Sequence, residues 1–360
     1  MAKLDILYIF RRPTIKILVD FKNAAIPEDV LYGAVGLKRK HRLKVTDKFF
    51  QHRWLISAQY SIDRIISPFL GIGFSIIPSV TLLPDVKKSN IVFATTDSLG
   101  VPLALLKSLR IFSTRLVINT TGLYDGLRKK NNNLQLKFWR KILKNVDHFI
   151  CGQSFQECSK LSTLLNLPIQ KFTFIPFGID TKFFRNGPKD EKNEILAIGA
   201  DPNRDWELYR TVAQRLPKEK FRIITYKGLI SIPMPENVTF EYNVSYPELR
   251  QRIWQAKCIL ILSKMNFHFA GQSTSFRCMA CAKPVIFTDT PGISEYKFRH
   301  KVHCLLVPIG NSDTVLESIA YLNRSRRIRD AMSFKARQLI KKYYGIEQYT
   351  RHLEKMFQSL

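Results

Sequence analysis

Acidic residues, cysteine and long unbroken apolar runs are all scarce in this 360-residue sequence. Only 29 Asp and Glu stand against 57 Lys and Arg, so the formal net charge is +28. An excess of that size is too large to be incidental, and its electrostatic field attracts polyanions such as nucleic acid, anionic lipid head groups or nucleotide phosphates. The alternative is that much of the charge is ordinary solvated surface in an organism with a basic proteome, and charge alone does not select one of these partners.

Cysteine is too sparse to form a framework of its own. The six cysteines are scattered, mostly in apolar stretches such as CILIL and HCLLVP. This placement favours small core side chains in a reducing compartment. Cys278 and Cys281 form a lone CxxC, without a second pair or a suitably spaced histidine to complete a tetrahedral zinc site. The sequence therefore predicts no metal site.

No apolar run is suited to crossing a membrane. The apolar part of MAKLDILYIFRRP is too short for a signal peptide. The segment 65–84 is long enough to span a bilayer, but its three prolines and two glycines would break a spanning helix. We expect this segment to be buried or inserted in a surface, and the protein to be cytoplasmic and peripheral on the inner face of the cytoplasmic membrane.

Short apolar runs alternate with helix-like stretches over the whole length. Continuous apolar runs indicate parallel strands covered on both faces, and strand–helix alternation predicts an open α/β sheet. Six runs fall on each side of the polar linker 185–194, which predicts two Rossmann-like domains facing across a ligand-binding cleft. The runs are LDILYIF, RLKVTD, NIVFATT, RLVINTT, HFICGQ and FTFIPF in the first half, and EILAIGA, FRIITY, NVTFEYN, CILILS, PVIFTD and HCLLVP in the second.

The linker sets the predicted domain boundaries. We expect a first domain over residues 1–187 and a second over 188–342. The last stretch, YYGIEQYTRHLEKMFQSL, is typical of a capped amphipathic helix that follows another helix. This helix, about 343–360, is expected to pack back on the first domain.

A glycine loop before a helix in the second half has the features of a phosphate site. Gly271 lets backbone approach a ligand closely, and Ser273 or Thr274 is expected to cap a helix running roughly to Cys281. The free amides and positive dipole end of such a helix favour an anion, which would lie against Gly271, Gln272 and Ser273. Taken alone, the pattern is equally compatible with a plain glycine loop.

A second polar loop follows the first strand of that half. Gly199 ends the strand, and the guanidinium of Arg204 in the loop can reach a diphosphate bidentately. Lys227 and Ser263, at the ends of their strands, are further candidates for the same ligand. In isolation, a surface arginine beside a helix start explains Arg204 equally well.

Together with FIPFGIDTKFF at 174–184, these segments resemble the retaining family 4 glycosyltransferases, the glycosyl transferases group 1. That family closes its first domain with IPNGVD-x-x-x-F and carries AGQT-x-x-x-EAMA-x-GKPVI, T-x-x-G-x-x-(D/E)-Y and GLLVP in its second. The resemblance is specific over about residues 145–345 and architectural before them. The matching residues here are Ile175, Pro176, Gly178, Ile179, Asp180 and Phe184, then Asp201, Arg204, Asp205 and Trp206, then Ala270, Gly271, Gln272, Met279, Ala280, Lys283, Pro284, Val285 and Ile286, then Thr288 or Thr290, Gly292, Glu295 and Tyr296.

The resemblance implies the GT-B fold and a glycosyltransferase that moves a sugar from a nucleotide-diphosphate donor to a glycan or lipid-linked acceptor. It implies retention, in cell-surface polysaccharide or glycolipid synthesis. Donor phosphate oxygens would help deprotonate the acceptor, while cations and helix amides stabilise the departing diphosphate. No cofactor is expected, since GT-B enzymes generally need no metal. The expected donor-binding residues are Gly199, Arg204, Lys227, Ser263, Gly271, Gln272, Ser273 and Thr274.

Two acids of the family are missing. A Glu that binds the ribose hydroxyls falls at Arg277, which cannot accept a hydrogen bond, and its partner eight residues earlier falls at Phe269. Arg277 is therefore predicted either to contact donor phosphate, as a catalytic residue beside Arg204, or to mark an altered or inactive site. The sequence INTTG stands where many members carry a histidine.

The first domain is expected to hold the acceptor. Its stretches 37–54 and 127–145 mix cations with aromatic side chains, as a surface that binds anionic lipid requires, and solvated basic helices are the alternative. The predicted acceptor and membrane face consists of Arg39, Lys40, Arg53, Lys129 and Lys130.

Two other functions are compatible with parts of the sequence. A nucleic-acid-binding protein would use the same charge and the same mixture of cations and aromatics. However, no recognition motif is present and the cations are spread over both halves, so we expect no nucleic-acid partner. A catalytically inactive GT-B relative with an assembly role is the second alternative, and it is motivated by Phe269 and Arg277.

Overall fold

The structure is a computed structural model that describes residues 3–46, 48–129, 133–188 and 190–360. The chain folds as two compact units. Unit 1 comprises Met1–Asn23, Leu31–Pro176 and Tyr349–Leu360, and unit 2 comprises Ala24–Val30 and Phe177–Gln348. The domain boundaries inferred from the linker stay a prediction.

Unit 1 contains a parallel sheet that has six strands within the described residues, and each strand corresponds to a predicted apolar run. The strands are β1 (Asp5–Ile9), β2 (Arg42–Val45), β3 (Ile91–Ala94), β4 (Arg115–Thr120), β5 (His148–Cys151) and β6 (Phe172–Phe174). Their order is β2-β1-β3-β4-β5-β6, so the direction of winding reverses between β1 and β3. Such a reversal is a topological switch point, where open α/β sheets bind ligands.

Helices cover both faces of this sheet, which is why β3 and β5 are buried along their whole length. Helix packing is close where glycine allows it: a Cβ at Gly100 would lie 2.6 Å from a side-chain carbon of Ile118. The helices are α1 (Thr14–Lys22), α2 (Ala34–Lys38), α3 (Arg53–Leu70), α4 (Ile76–Thr81), α5 (Leu83–Lys87), α6 (Asp97–Ser108), α7 (Leu123–Lys129), α8 (Asn133–Leu143) and α9 (Phe155–Leu165).

The terminal helix α15 (Ile346–Ser359) contributes residues from Tyr349 onward to unit 1. Thr350 fits against Gly36, where an added Cβ would lie 2.8 Å from its methyl carbon. The ring of Phe357 packs edge-on against that of Phe93, with centroids 5.6 Å apart. These contacts bury the apolar side of the helix within unit 1.

Unit 2 also contains a parallel sheet with six strands in the described part of the chain. The strands are β7 (Glu194–Ile198), β8 (Lys220–Thr225), β9 (Val238–Tyr242), β10 (Cys258–Ile261), β11 (Val285–Thr288) and β12 (Leu305–Val307), in the order β12-β11-β10-β7-β8-β9. This is the Rossmann strand order, and its switch point lies between β7 and β10. The helices are α10 (Trp206–Arg215), α11 (Tyr246–Gln255), α12 (Gln272–Ala280), α13 (Ser312–Asn323) and α14 (Arg326–Tyr343).

The apolar segment 65–84 is divided among α3, α4 and α5 rather than forming one helix. Breaks at Gly71 and Leu82 follow from the glycines and prolines noted in the sequence. Over the described ranges, no helix is both long and apolar enough to span a membrane. All six cysteines are buried and unpaired, as expected of core residues.

Candidate functional site

The candidate site lies at the switch point of the second sheet. Gly199 directly follows β7, and Ser263 follows β10 by two residues. Arg204 forms an isolated backbone bridge with Ser263, so its loop is fixed at this edge of the sheet. The fold therefore brings together three of the predicted donor-binding residues at the edge where Rossmann sheets bind ligands.

The side chain of Arg204 is buried but only partly paired. It is 2% exposed, and Nη2 donates to the carbonyl of Ile198 at 3.0 Å. Its Nε and Nη1 have no hydrogen-bond partner among the described residues, and neither does the buried Oγ of Ser263. Burying guanidinium nitrogens without hydrogen-bond acceptors is costly, so this arrangement is suited to an anion that accepts from them.

Two glycines make room for the guanidinium. A Cβ on Gly199 would lie 2.7 Å from Nη2 of Arg204, and a Cβ on Gly271 would lie 2.6 Å from the same atom. The φ angles of the two glycines are +145° and +91°, in a region that other residues rarely adopt. Both positions therefore require glycine for backbone conformation and for space.

Helix α12 begins beside this guanidinium. Gly271 is its N-cap and gives no side-chain cap, so the first amides of the helix have no partner within it. The prediction that Ser273 or Thr274 caps the helix is wrong. The left-handed turn at Gly271 starts the helix earlier, so both residues lie in its first turn, partly exposed. Their backbone amides add the positive end of the helix dipole to the charge of Arg204.

The remaining predicted donor-binding residues differ in their surroundings. The buried side chain of Gln272 donates to the hydroxyl of Tyr296. The backbone amide of Gln272 donates to the carbonyl of Phe269 at 3.0 Å. The side chain and the backbone of Gln272 thus both hold the loop in place. Lys227 is exposed in the turn after β8.

A polar cluster that the sequence did not reveal holds the Arg204 loop. Nε2 of His268 lies 3.6 Å from Oδ2 of Asp201 and 3.3 Å from Nδ2 of Asn203. The amide of Lys264 donates to the carbonyl of Asn203 at 2.8 Å. Burial alone would raise the pKa of Asp201, but hydrogen bonds from His268 and the Asn203 backbone lower it to about 2. Asp201 is thus a fixed anion that positions the loop.

Arg277 is directed at a carboxylate. Its Nε donates to Oδ2 of Asp29 at 3.2 Å, and its guanidinium lies over the rings of Phe184 and Tyr246 at 5.4 and 5.3 Å from their centroids. Burial raises the pKa of Asp29, and the ion pair with Arg277 offsets part of that rise. The guanidinium of Arg277 is therefore already paired with a carboxylate of its own unit, unit 2.

Phe269, the other position of a family acid, is 1% exposed. It lies in an aromatic cluster with Phe276, Phe287, Tyr296 and Phe298, whose ring centroids are 5.1 to 6.0 Å from its own. The position therefore serves core packing. Over the described ranges, no group of three His, Cys, Asp or Glu side chains is placed to hold a metal ion.

The described residues of the predicted acceptor and membrane face belong to different elements of unit 1. Arg39 is exposed after α2, and Arg53 is exposed at the start of α3. Nζ of Lys40 pairs with Glu354 of the terminal helix at 2.8 Å. Lys129 ends α7, but its side chain, like the whole of Lys130, lies outside the described residues.

Comparison with known proteins identifies the fold. No family model and no curated protein matches the chain. HepE of Anabaena, crystallised in complex with UDP-glucose, is 12% identical with a TM-score of 0.72, over 99% of this chain and 100% of that chain. A glycosyltransferase of Rickettsia africae is 13% identical with a TM-score of 0.66, over 100% and 99% of the two chains.

The sucrose-phosphate synthase of Thermosynechococcus elongatus is 15% identical with a TM-score of 0.65, over 79% of this chain and 78% of that chain. These likenesses, together with the two parallel six-stranded sheets of the described chain, show a doubly wound α/β protein. The chain has the GT-B fold found in these glycosyltransferases, which confirms the predicted fold class.

Proposed function

We propose that this protein is a glycosyltransferase that moves a sugar from a nucleotide-diphosphate donor to a glycan or lipid-linked acceptor. The observation that supports it best is Arg204, a guanidinium that is 2% exposed, has two nitrogens without a partner among the described residues, and lies beside the N-terminus of α12 at a Rossmann switch point. HepE, which shares the fold, was crystallised with UDP-glucose, and this favours a UDP-sugar as the donor.

The proposed residues act by electrostatics and positioning. In the transfer, the bond between the sugar anomeric carbon and the donor phosphate oxygen breaks, and a bond to the acceptor oxygen forms. The acceptor proton passes to the departing diphosphate. Arg204 and the amides of Ser273 and Thr274 would stabilise the negative charge that grows on that group, because they are already oriented before the reaction. Retention, as the family resemblance implies, is part of the proposal.

The donor role of Arg204 is tested by calorimetric titration of UDP and UDP-glucose into wild type and Arg204→Met. We expect affinity to fall about 5- to 150-fold, the equivalent of about 1–3 kcal/mol for a charge-assisted contact. Arg215→Met is the matched control, because Arg215 lies at the end of α10 and pairs with Asp313 at the surface. Equal affinities of wild type and Arg204→Met for the bound nucleotide would exclude the role.

Release of UDP from UDP-glucose tests the transferase activity itself, with GDP-, ADP- and CMP-sugars assayed in parallel. We place the reaction in cell-surface polysaccharide or glycolipid synthesis at the inner face of the cytoplasmic membrane. The formal charge of +28 supports an anionic surface as the working environment.

A catalytically inactive relative with an assembly role is the second candidate. Its support is that Phe269 is part of an aromatic cluster and Arg277 is occupied by Asp29, so neither position offers a carboxylate to a ribose. Such a protein would show no melting-temperature increase with any nucleotide sugar, since only a ligand that binds the native state stabilises it.

A further inference from the structure

A pocket of unit 2 lies at the opposite end of its sheet from the candidate donor site. Glu191 and Lys283 line this pocket, and they precede β7 and β11 by three and two residues. Gly199 and Ser263 instead follow their strands, and because the sheet is parallel, the two sets lie at opposite edges. Strand β7 has five residues, so about 13 Å of sheet separates the edges. The pocket is therefore distinct from the donor site.

The pocket has the size of a small-molecule site. Its cavity volume is about 300 Å³, at the lower end of the range for ligand pockets. One part of its wall is a stripe of α14 formed by Arg326, Asp330, Ser333 and Phe334. These residues are spaced so that they share one face of the helix.

The rest of the wall is held in place by close packing. Segment 186–188 lines the pocket, and Gly187 packs so closely on Trp254 that a Cβ there would overlap the indole ring. Nε1 of Trp254 donates to the carbonyl of Arg185 at 2.7 Å. The turn 281–283 completes the lining. A cavity that is formed before its ligand arrives lowers the cost of ordering on binding.

Lys283 brings a largely buried cation to the pocket. Its side chain is 12% exposed, and its Nζ lies 3.7 Å from Oε2 of Glu191. The other oxygen of that carboxylate accepts from Nη2 of Arg329 at 2.7 Å. Burial lowers the pKa of Lys283, and Glu191 opposes this shift. Because one carboxylate serves two cations, an anion in the pocket would give Lys283 a counter-charge of its own.

Further cations lie close to Cys281, which lines the same pocket. Burial raises the pKa of Cys281 to about 12, and Arg337, Arg250 and Lys283 oppose this rise. Groups that favour a thiolate favour any anion at the same place, so they would also stabilise a bound phosphate. The thiol itself stays protonated at neutral pH, which makes the pocket suited to binding rather than to thiol chemistry.

Three side chains of α14 are available to a ligand. Arg326 is 53% exposed and lies 3.9 Å from Asp330, and such surface pairs contribute little, so its guanidinium can turn to a ligand. Ser333 is 2% exposed, and its hydroxyl has no partner among the described residues, so it can donate to a ligand oxygen. Phe334 is 59% exposed and offers its ring to an organic group.

We propose that this pocket is a second ligand site, which binds a small phosphate ester with its phosphate at Lys283 and Arg326 and its organic part against Phe334. A phosphate group has three strong acceptor oxygens, enough for both cations and the hydroxyl of Ser333. The proposal does not depend on the transferase function, because none of the residues that line the pocket is a predicted donor-binding residue.

Calorimetric titration of ribose 5-phosphate tests the site, with inorganic phosphate and ribose as its separate parts. Wild type should bind ribose 5-phosphate more tightly than inorganic phosphate and should not bind ribose. Lys283→Met should lower the affinity for ribose 5-phosphate about tenfold or more, because a charge-assisted contact is lost. Lys218→Met, at an exposed lysine in the turn before β8, is the matched control and should bind as wild type does.

Two further variants test the phosphate and the organic part of the ligand. Arg326→Met changes an exposed side chain, so it tests the phosphate contact even if Lys283→Met does not fold. Phe334→Ala should reduce the affinity for ribose 5-phosphate towards that for inorganic phosphate and leave the binding of inorganic phosphate unchanged. Melting temperatures that match wild type verify that the variants fold.

Arg204→Met shows which site the ligand occupies. It should retain the binding of ribose 5-phosphate, and a loss there would place the ligand in the donor site and overturn the proposal. Absence of binding to wild type, or unchanged binding in both Lys283→Met and Arg326→Met, overturns it as well. Titration of UDP separates the two proposals. UDP binding without ribose 5-phosphate binding contradicts the second site alone, and the reverse contradicts the transferase proposal alone.

Discussion

Arg277 and Asp29 form an ion pair between residues 248 positions apart in the chain, with Nε of Arg277 3.2 Å from Oδ2 of Asp29. Asp29 is fully buried, and its Oδ1 has no partner among the described residues. The pair anchors the segment Ala24–Val30 to the rest of unit 2. The amide of Glu28 donates to Asp180 at 2.9 Å and adds a second anchor.

Removing one partner of this pair should be more harmful than removing both. Arg277→Met leaves the buried carboxylate of Asp29 without its cation, so we expect about 3–5 kcal/mol less unfolding free energy. Asp29→Asn/Arg277→Met should recover much of that loss, because no buried charge remains. Urea denaturation of the two variants measures the difference, and equal losses would contradict a stabilising role for the pair.

The same pair decides how Arg277→Glu should be tested. On its own, this substitution restores the family's acid but brings two carboxylates together at a buried site, so we expect it to destabilise the fold whatever its effect on the donor. Asp29→Asn/Arg277→Glu removes the repulsion. Donor choice, measured by UDP- against GDP-sugar turnover, is informative only in that double variant.

Gly271→Ala should damage the proposed phosphate site beyond the cost of backbone strain. Its Cβ would meet Arg204 at 2.6 Å, whereas a Cβ at Gly228, which has a similar φ of +81°, meets no atom within 4 Å. Both substitutions cost about 1–2 kcal/mol for the left-handed conformation, and only Gly271→Ala should also lower UDP affinity, by about tenfold or more. Calorimetric titration and urea denaturation separate the two effects, and equal UDP affinities of the two variants would refute the contact.

Asp97 should make the protein less stable as pH rises from about 4 to about 6. Burial raises the pKa of Asp97 from 3.8 to about 6, although hydrogen bonds from the amide and hydroxyl of Thr121 lower it. Between these values the folded chain keeps a proton that the unfolded chain releases. The unfolding free energy therefore falls with rising pH, by about 3 kcal/mol in total from this group.

Asp97→Asn should remove that component of the pH dependence. Urea denaturation at pH 4, 5, 6 and 7 measures it as a difference from wild type, so that other titrating groups cancel. Asp313→Asn, at a surface ion pair with Arg215, is the control for the loss of one carboxylate. If the unfolding free energies of wild type and Asp97→Asn change in parallel with pH, the pKa of Asp97 is not raised in the folded protein.

Gly36→Ala should loosen the terminal helix. The added methyl would lie 2.8 Å from Cγ2 of Thr350 and 3.3 Å from its Oγ1, so we expect a loss of about 1–3 kcal/mol. Thr350→Ser removes Cγ2 and should restore part of the stability in the double variant. A thermal denaturation cycle of the four proteins measures the coupling, and strictly additive effects would contradict the contact.

The sheets were predictable because their signal is local. Most strands are short apolar runs, and β3 is an example in which every residue is buried. The edge strands β2 and β9 are only partly buried, so their apolar signal is weaker. Gly199, Arg204 and Gly271 were predictable as a group because two parallel strands end at the same edge of a sheet. The family pattern selected these residues from many similar glycines and arginines.

Long-range pairings were not predictable from one sequence. Asp29 lies in a short segment with no motif, so nothing in the sequence marks it as the partner of Arg277. His268 was missed because its role depends on the Asp201 loop reaching it. The pocket of unit 1 that Phe10, Ile56 and Leu99 line was missed because its wall combines the end of β1 with α3, two elements about 40 residues apart that only the tertiary fold brings together.

The division of the chain has a consequence for its synthesis. Unit 1 takes its last part from Tyr349–Leu360, after all of the main segment of unit 2 has been made. During synthesis, the 172 residues Phe177–Gln348 of unit 2 emerge from the ribosome before the terminal helix does. Until then, the surface of the first sheet around Gly36 and Phe93 is not covered by that helix. Phe93 is fully buried once the helix has docked, so the waiting intermediate exposes apolar surface that chaperones would recognise.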